Sequence, residues 1–270
     1  MNSERSLREM MSLHGRAALV TGGAGHIGRA VANALAELGA NIAICDIAAS
    51  AGEEAVAVLA RNFQGSAAAF ACDFEQPEAV KDLPRRVREK FGRIDIIVNC
   101  AAFVGTSGLE GWAVPFERQS AQTWRRALEV NLTAPFILVQ AAAEDLAVSG
   151  HGSVINISSI YGLSGPDWRL YDGTDLGNPA AYATSKGGLV QMTRWLATTL
   201  APKVRVNAIA PGGVFRQTPE PFLSRYVART PLGRMAREED MKGAVAYLAS
   251  DLSAYVTGQC IAVDGGWTAW

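Results

Sequence analysis

The chain has 270 residues, 49% of them hydrophobic and 19% charged, with a formal net charge of −1 at pH 7. This composition excludes a disordered chain, and the balanced charge excludes the basic surface that attracts nucleic acids or anionic membranes. No apolar run approaches the ~20 residues that a membrane-spanning helix needs. We expect a cytoplasmic protein whose partner is a small-molecule substrate, with neither a nucleic acid nor a membrane as partner.

The N-terminal segment and the cysteines support this expectation. Residues 1–12 mix charged with apolar letters and lack the apolar core of a signal peptide, so we expect a frayed or packed N-terminal arm. The cysteines form no Cys-x-x-Cys pair and no metal-binding spacing. Each lies at or near the end of a predicted strand: Cys45, Cys72, Cys100 and Cys260. We expect free thiols and no metal site.

Short apolar runs alternate with longer stretches of helical periodicity along the chain. The predicted strands are 16–21, 41–46, 67–72, 94–99, 152–158, 203–209 and 259–264. Apolar residues recur at helical spacing in 27–38, 51–62, 77–91, 120–148, 182–200 and 238–249. Because the strands are apolar throughout, they fit a parallel sheet that is covered on both faces. The alternation predicts an α/β fold, Rossmann-like and doubly wound, with a seven-stranded parallel sheet and a single domain over residues 1–270.

The stretch "TGGAGHIG" (21–28) joins the first predicted strand to the first long helix. In this context Gly22 permits a tight turn, Gly25 lets backbone approach a pyrophosphate, and Gly28 allows close helix–strand packing. The helix N-terminus offers free N–H groups and a partial positive charge to phosphates. His26 stands where a glycine would be expected. The stretch predicts a dinucleotide site.

Asp46 ends the second predicted strand, about twenty residues beyond the glycine turn. An acid at this point can accept hydrogen bonds from the hydroxyls of the adenosine ribose. A 2′-phosphate would meet a like charge there, which costs about 4 kcal/mol per unit pair at ~4 Å and an effective dielectric of ~20. The following residues, 47–49, supply no arginine. NAD(H) is therefore favoured over NADP(H); the alternative is that Asp46 only caps its loop.

The stretch "YATSK" places Tyr182 and Lys186 four residues apart at the start of a predicted helix, hence on one face. An ammonium group beside a phenol favours the phenolate and brings proton transfer within reach of neutral pH. Upstream, "NISSIYG" ends a strand in two hydroxyls, Ser158 and Ser159, one of which should face the carboxyl edge of the sheet. An isolated Tyr–Lys pair at this spacing would ordinarily be an exposed contact.

From about residue 13 to its C-terminus, the chain resembles the classical short-chain dehydrogenases/reductases. The matching motifs, in chain order, are "TGGAGHIG", Asp46, "CDF" (72–74), "NCAA" (99–102), "VNLTAPF" (130–136), "NISSIYG", "YATSK", "APGG" (210–213) and "VDGGW" (263–267). The resemblance implies that Tyr182 is the general acid/base, that Lys186 lowers its pKa and holds the nicotinamide ribose, that Ser159 orients the substrate oxygen, and that Asn131 holds a proton-relay water. It also implies this set of cofactor contacts: Gly22, Gly25, His26, Ile27, Gly28, Asp46, Ile47, Asp73, Phe74, Asn99, Ala101, Tyr182, Lys186, Pro211 and Val214.

Three departures from the family pattern bear on this resemblance. The glycine spacing with His26 is similar to that of the extended subfamily, and His26 lies either beside the pyrophosphate or in solvent. The family's Asn-Asn-Ala-Gly motif reads "NCAA". The family's threonine after the proline–glycine loop is replaced by Arg216, with Thr218 two residues later, and this departure bears on the expected contacts on the nicotinamide side.

An inserted loop, residues 160–181, separates the serine from the tyrosine and is the candidate substrate-binding segment. It carries Asp167, Trp168 and Arg169, and carboxylates, guanidinium forks and flat aromatic faces suit hydroxyls and phosphates better than acyl chains. The loop resembles that of family members from surface-sugar pathways. We therefore expect a sugar or polyol substrate contacted by Asp167, Trp168, Arg169 and Arg216; the alternative is a structural or interface loop.

Three functions remain open at this point. The first is an NAD-dependent dehydrogenase of a polar secondary alcohol. The second is a 3-oxoacyl-[acyl-carrier-protein] reductase, which would favour NADPH, and the third is a non-catalytic binding protein of the same fold. The windows 120–148 and 182–200 carry apolar residues in excess of one buried face, including Leu189, Met192, Trp195 and Leu196. From these and from the resemblance we expect a homo-oligomer, either a tetramer or a dimer.

Overall fold

Seven parallel strands form one sheet in the computed structural model, which describes residues 4–270. The strands are β1 (Ala17–Thr21), β2 (Asn41–Asp46), β3 (Ala67–Ala71), β4 (Ile96–Asn99), β5 (Gly152–Ile157), β6 (Val204–Pro211) and β7 (Cys260–Val263). Their order in the sheet is β3-β2-β1-β4-β5-β6-β7. The order reverses between β1 and β4, and in open α/β sheets ligands bind at the carboxyl ends of the strands beside such a reversal.

Nine α-helices accompany the sheet in the described part of the chain. They are α1 (Leu7–Met11), α2 (His26–Glu37), α3 (Ala49–Asn62), α4 (Pro77–Phe91), α5 (Ala121–Leu128), α6 (Ala134–Val148), α7 (Ala180–Leu200), α8 (Phe222–Arg229) and α9 (Lys242–Ala249). One core cluster packs side chains of α2, α3 and α9 against the sheet, and a second packs α4, α6 and α7 against the other face. Burial on both faces explains why the strands are apolar throughout. The predicted fold, a doubly wound Rossmann-like single domain with seven parallel strands, is confirmed.

The predicted strands and helices lie within about two residues of the observed ones at most ends, since buried strands and amphipathic helices have strong periodic signals. The window 120–148 does not form one continuous α-helix. A π-helical segment, Glu129–Thr133, separates α5 from α6. The helix α8 was not predicted, because it is only eight residues long and directly follows Pro221.

The N-terminal arm is packed in its described part. Ser6 and Glu9 form a capping box that starts the short helix α1. Arg5 pairs with Asp251 at 2.7 Å, and Asp251 also accepts from Arg16 at 2.7 Å. These ion pairs hold the arm against the turn that precedes β7.

Other sequence expectations concern cysteines, metals and exposed helices. All four cysteines are free thiols. No cluster of metal-ligating side chains and no helix long and apolar enough to cross a membrane occurs within residues 4–270. On α7, Leu189 and Leu196 are buried within the subunit. The main exposed apolar side chain among the residues named for this helix is therefore Trp195, which is 55% exposed.

Candidate active site

A cavity of about 600 Å³ opens at the carboxyl edge of the sheet. Its walls come from the segments that follow β1, β2, β3, β4, β5 and β6, together with the start of α7. Parallel strands end at one edge, so motifs that are far apart in sequence meet here. The acidic and basic side chains on its described walls fall into two groups, carboxylates near β2 and β3 and cations nearer β5 and β6: Asp46, Asp73 and Glu75, and Lys186 and Arg216, with His26 at the glycine turn.

The glycine turn is built so that only glycines fit at two positions. Gly22 has φ +61°, and a Cβ there would lie 2.8 Å from Cα of Ala101. A Cβ on Gly28 would collide with the carbonyl oxygen of Gly22. Gly25 is the N-cap of α2 and supplies no side-chain cap, so the N–H groups of the first helical turn remain available. These residues fit the diphosphate of a dinucleotide.

Asp46 anchors the far side of the same turn. Its Oδ2 accepts a hydrogen bond from the backbone N–H of Ala24 at 3.1 Å, and the residue lines the cavity together with Ile47. Asp73, Phe74 and other residues after β3 continue this wall. No lysine or arginine lines this part of the described cavity. The charged side chains of this wall are therefore all carboxylates.

Tyr182 and Lys186 lie on one face of α7 and both line the cavity. The Lys186 ammonium donates to the carbonyl of Ile157 at 2.8 Å and lies 5.8 Å from the centre of the Tyr182 ring. Burial lowers the pKa of Lys186 to about 8. Burial also raises the pKa of Tyr182, and the Ser159 hydroxyl opposes that rise. The pKa of the phenol is raised overall, because burial outweighs the neighbouring groups that lower it.

The two serines at the end of β5 have different surroundings. Ser159 lines the cavity, and its Oγ accepts from the backbone N–H of Tyr161 at 3.2 Å. The Ser158 hydroxyl donates to the carbonyl of Lys186 at 2.8 Å. Ser158 also lines the cavity, but its hydroxyl fixes β5 to α7, whereas the Ser159 hydroxyl lies close enough to Tyr182 to oppose the rise in the pKa of the phenol.

Asn131 and Asn99 lie behind the cavity wall and do not line it. Asn131 is fully buried in the π-helical segment, where its amide donates to the carbonyl of Phe103 at 3.0 Å and to Ser185 at 3.1 Å. Asn99 donates to Asn156 within the sheet at 2.8 Å. Their side chains therefore hold the strand ends and the segment after β4 in place. Ala101, two residues after Asn99, does line the cavity.

The segment after β6 closes the opposite wall. Pro211, Val214 and Arg216 all line the cavity. The hydroxyl of Tyr226 accepts from the backbone N–H of Gly213 at 2.5 Å, and Val214 forms a parallel bridge with Ala236. The segment is thus held from both sides.

The inserted loop corrects a sequence expectation. Asp167, Trp168 and Arg169 do not line the cavity. The carboxylate of Asp167 accepts from Arg169 at 2.7 Å, pairs with Arg229 at 3.1 Å, and caps a short 3₁₀ turn. Arg169 is 80% exposed. Asp167 and the two arginines thus pair outside the cavity.

Neutral groups of the same loop line the cavity instead. The hydroxyls of Tyr161 and Tyr171 lie 2.8 Å apart. Asn178 is also part of the wall, and its Oδ1 has no hydrogen-bond partner in the described chain. Phe222 of α8 packs on Tyr171 with ring centres 5.2 Å apart. The adjacency of Asn178 to Pro179, the N-cap of the helix that carries Tyr182, was the one signal that could have identified it.

Comparison with known proteins agrees with this arrangement. A family model described as enoyl-(acyl carrier protein) reductase matches residues 22–268. The chain is 34% identical over 259 residues to cis-4-hydroxycyclohexanecarboxylate dehydrogenase of Sinomonas cyclohexanicum, covering 94% of this chain and 97% of that one. It is 32% identical over 263 residues to 3-oxoacyl-[acyl-carrier-protein] reductase of Thermotoga maritima, covering 95% and 99%. D-threitol dehydrogenase of Mycolicibacterium smegmatis is 34% identical over 262 residues, covering 95% and 94%.

Solved structures agree over nearly the whole chain. A short-chain type dehydrogenase/reductase from Mycobacterium marinum superposes with a TM-score of 0.85 at 31% identity, covering 98% of this chain and 100% of that one. A putative NAD(P) dependent gluconate 5-dehydrogenase from Beutenbergia cavernae, with bound NADP, superposes with a TM-score of 0.84 at 34% identity, covering 97% and 100%. From its motifs, its site geometry and these relatives, the chain belongs to the classical short-chain dehydrogenase/reductase family of oxidoreductases, which bind nicotinamide cofactors.

Proposed function

We propose that this protein is an NAD(H)-dependent dehydrogenase that interconverts a polar secondary alcohol and its ketone. The observation that carries the proposal is one shared cavity, in which the glycine cradle stands at one side and Ser159, Tyr182 and Lys186 at the other. A binding protein without catalysis would not need a buried ammonium beside a buried phenol, both of which are costly to bury. The intact group argues for an enzyme.

In the oxidative direction Tyr182 takes the proton of the substrate hydroxyl, and Ser159 donates a hydrogen bond to the same oxygen. Lys186 keeps a positive charge beside the phenol and so favours the phenolate that proton transfer requires. A bound nicotinamide would accept the hydrogen and the two electrons that leave the carbon. In the reductive direction Tyr182 returns the proton to the carbonyl oxygen.

The choice of NAD(H) rests on the wall around Asp46. Its carboxylate suits the hydroxyls of an adenosine ribose, and Asp73 and Glu75 add negative charge to the same wall. A 2′-phosphate would be repelled, and no cation lines that part of the described cavity to hold it. Solved relatives with bound NADP exist in the family, so the preference is a property of this chain's own residues rather than of the fold.

A sugar, polyol or cyclic polyol is the proposed substrate. The walls next to Ser159 and Tyr182 combine aromatic rings with neutral hydrogen-bonding groups, namely the paired hydroxyls of Tyr161 and Tyr171 and the amide of Asn178. Such walls bind neutral hydroxylated rings and chains through a few oriented polar contacts. Relatives named for a hydroxycyclohexanecarboxylate and for D-threitol give chemical precedent.

A screen of NAD⁺ reduction against sugars, polyols and cyclic alcohols tests the proposal, with absorbance of the reduced cofactor as readout. We expect turnover with at least one neutral polyhydroxylated substrate, and none without added alcohol. A panel that is wholly inactive, while 3-oxoacyl thioesters are reduced, would contradict it.

A second candidate is reduction of 3-oxoacyl thioesters, as in the Thermotoga maritima relative. The sequence similarity to that reductase favours this candidate, but the carboxylates near β2 disfavour the NADPH that we expect for such a reductase. Reduction of an acetoacetyl thioester with NADPH at a higher kcat/KM than any NAD-linked alcohol oxidation would favour this candidate.

A further inference from the structure

Arg216 and His26 stand on opposite sides of the cavity and share one carboxylate. The Nε of Arg216 lies 3.6 Å from Oε1 of Glu238, and the Nδ1 of His26 lies 3.6 Å from the same oxygen. Glu238 begins the 3₁₀ turn Glu238–Met241, which packs against α2. A carboxylate fixed beside α2 therefore holds the guanidinium of Arg216 next to the glycine turn.

The shared oxygen limits where Arg216 can be. The Nε of Arg216 is no more than twice 3.6 Å from the His26 ring, and His26 is the first residue of α2. Neither distance is short enough for a hydrogen bond, and within residues 4–270 the Arg216 guanidinium donates no hydrogen bond. The donors of Arg216 are thus free at the N-terminus of a twelve-residue helix whose N-cap has no side-chain cap.

The backbone under Arg216 is held in place. The N–H of Phe215 donates to the carbonyl of Ala236 at 2.9 Å, and the N–H of Ala236 donates to the carbonyl of Gly213 at 2.9 Å. Gln217, the next residue, has φ +52°, a left-handed conformation that a non-glycine residue rarely adopts. The backbone that carries Arg216 is therefore held at the cavity wall.

We propose that Arg216 is a diphosphate-binding residue, that it closes over the glycine cradle from the β6 side, and that Glu238 is a positioning residue that competes with the diphosphate for it. The proposal rests on the dinucleotide function proposed above. A guanidinium fork pairs with phosphate oxygens bidentately, whereas the shared carboxylate is too distant to hydrogen-bond. Binding would exchange a weak ion pair with Glu238 for a closer contact to a doubly charged group.

Adenosine 5′-diphosphoribose is the probe, because it carries the diphosphate and lacks the nicotinamide. Titration calorimetry would give its Kd for wild type and for Arg216→Ala. We expect the Kd to rise about tenfold or more in Arg216→Ala, the size of a lost charge-assisted hydrogen bond, with partial recovery in Arg216→Lys. An unchanged Kd would overturn the proposal and return Arg216 to the substrate or to the nicotinamide.

Glu238→Gln tests the proposed competition between Glu238 and the diphosphate, and the expected change in Kd is opposite to that of Arg216→Ala. Removing the charge frees Arg216 and ends the repulsion of the diphosphate, so we expect the Kd to fall at least about twofold. An unchanged or higher Kd would overturn the competing role of Glu238. Arg237→Ala and Glu239→Gln are matched controls, since both side chains are exposed, pair with each other and lie outside the cavity wall. We expect neither to change the Kd in this direction.

The failure of the proposed function has a different signature. If wild type bound neither NADH nor adenosine 5′-diphosphoribose, the dinucleotide function itself would fail, and the role of Arg216 with it. If wild type bound both and Arg216→Ala bound both equally well, only the assignment of Arg216 would fail.

Discussion

Burial shifts the pKa of both members of the proposed proton-transfer pair. It raises the pKa of Tyr182 and lowers that of Lys186 to about 8, so each group is biased towards its neutral form. The sequence alone predicts that the ammonium lowers the phenol pKa. It does not predict the opposing effect of burial, because spacing shows that two residues share a face but not how deeply they are buried. The roles assigned to Tyr182 and Lys186 can be separated experimentally.

Tyr182→Phe should nearly abolish turnover and leave the Kd for NADH unchanged, since it removes the proton path and leaves the glycine turn and Asp46 in place. Lys186→Ala should reduce turnover and also weaken NADH binding, because the expected ribose contact is lost. Steady-state kinetics and fluorescence titration measure the two effects. Near-normal turnover in Tyr182→Phe would make Tyr161 or Tyr171 the candidate acid/base.

Lys186 also predicts a pH dependence of stability. Its pKa falls from an ordinary 10.5 to about 8 on folding, so between these values the unfolded chain binds more protons than the folded one. The free energy of unfolding of wild type should therefore rise from pH 8 to about 10.5 relative to Lys186→Met, which has no such proton. Urea denaturation of both proteins at pH 7 and pH 10 measures this difference. A difference that stays constant with pH would contradict the assigned burial cost.

At the scale of elements, the inserted loop divides into an outer charged part and an inner neutral part. Asp167 pairs with Arg169 of the same loop and with Arg229 of α8, whereas Tyr161, Tyr171 and Asn178 line the cavity. We expect the inner part to select the substrate.

Tyr171→Phe and Asn178→Ala should each raise KM for the active substrate several-fold and leave the Kd for NADH unchanged. Tyr171→Phe keeps the ring that packs on Phe222 and removes only the hydroxyl. Arg169→Ala is the control, since this side chain is largely exposed and lies outside the cavity. If Arg169→Ala raised KM as much as Tyr171→Phe, the division of the loop would be wrong.

Sequence predicted the sheet well and the loop poorly, for a physical reason. Buried strands are continuous apolar runs, and a glycine turn between strand and helix has one geometry, so both are visible locally. The pairing of Asp167 with Arg229 joins residues from different elements, and α8 itself was not predicted. A π-helical segment such as Glu129–Thr133 keeps the apolar pattern of an α-helix, so periodicity cannot reveal it.

At the scale of the whole molecule, exposed apolar side chains on α6 and α7 bear on assembly. Trp195 is 55% exposed and Phe136 is 38% exposed. Side chains of this size on neighbouring helices are typical of a protein–protein interface. We propose a homo-oligomer that uses this face.

Light scattering at micromolar concentration should give a mass of two or four times 28.6 kDa. Trp195→Glu should shift the mass towards one chain, because a buried charge at an interface is costly. Leu7→Glu, which introduces the same charge at an exposed position on α1, should leave the mass unchanged. A monomeric wild type would contradict the proposed assembly.

The central claim is that this cavity binds NAD(H), and fluorescence titration of wild type with NADH and NADPH tests it most directly. The carboxylates of Asp46, Asp73 and Glu75, and the lack of a lysine or arginine on that wall of the described cavity, predict that NADH binds at least about tenfold more tightly. Equal affinities, or tighter binding of NADPH, would contradict the account.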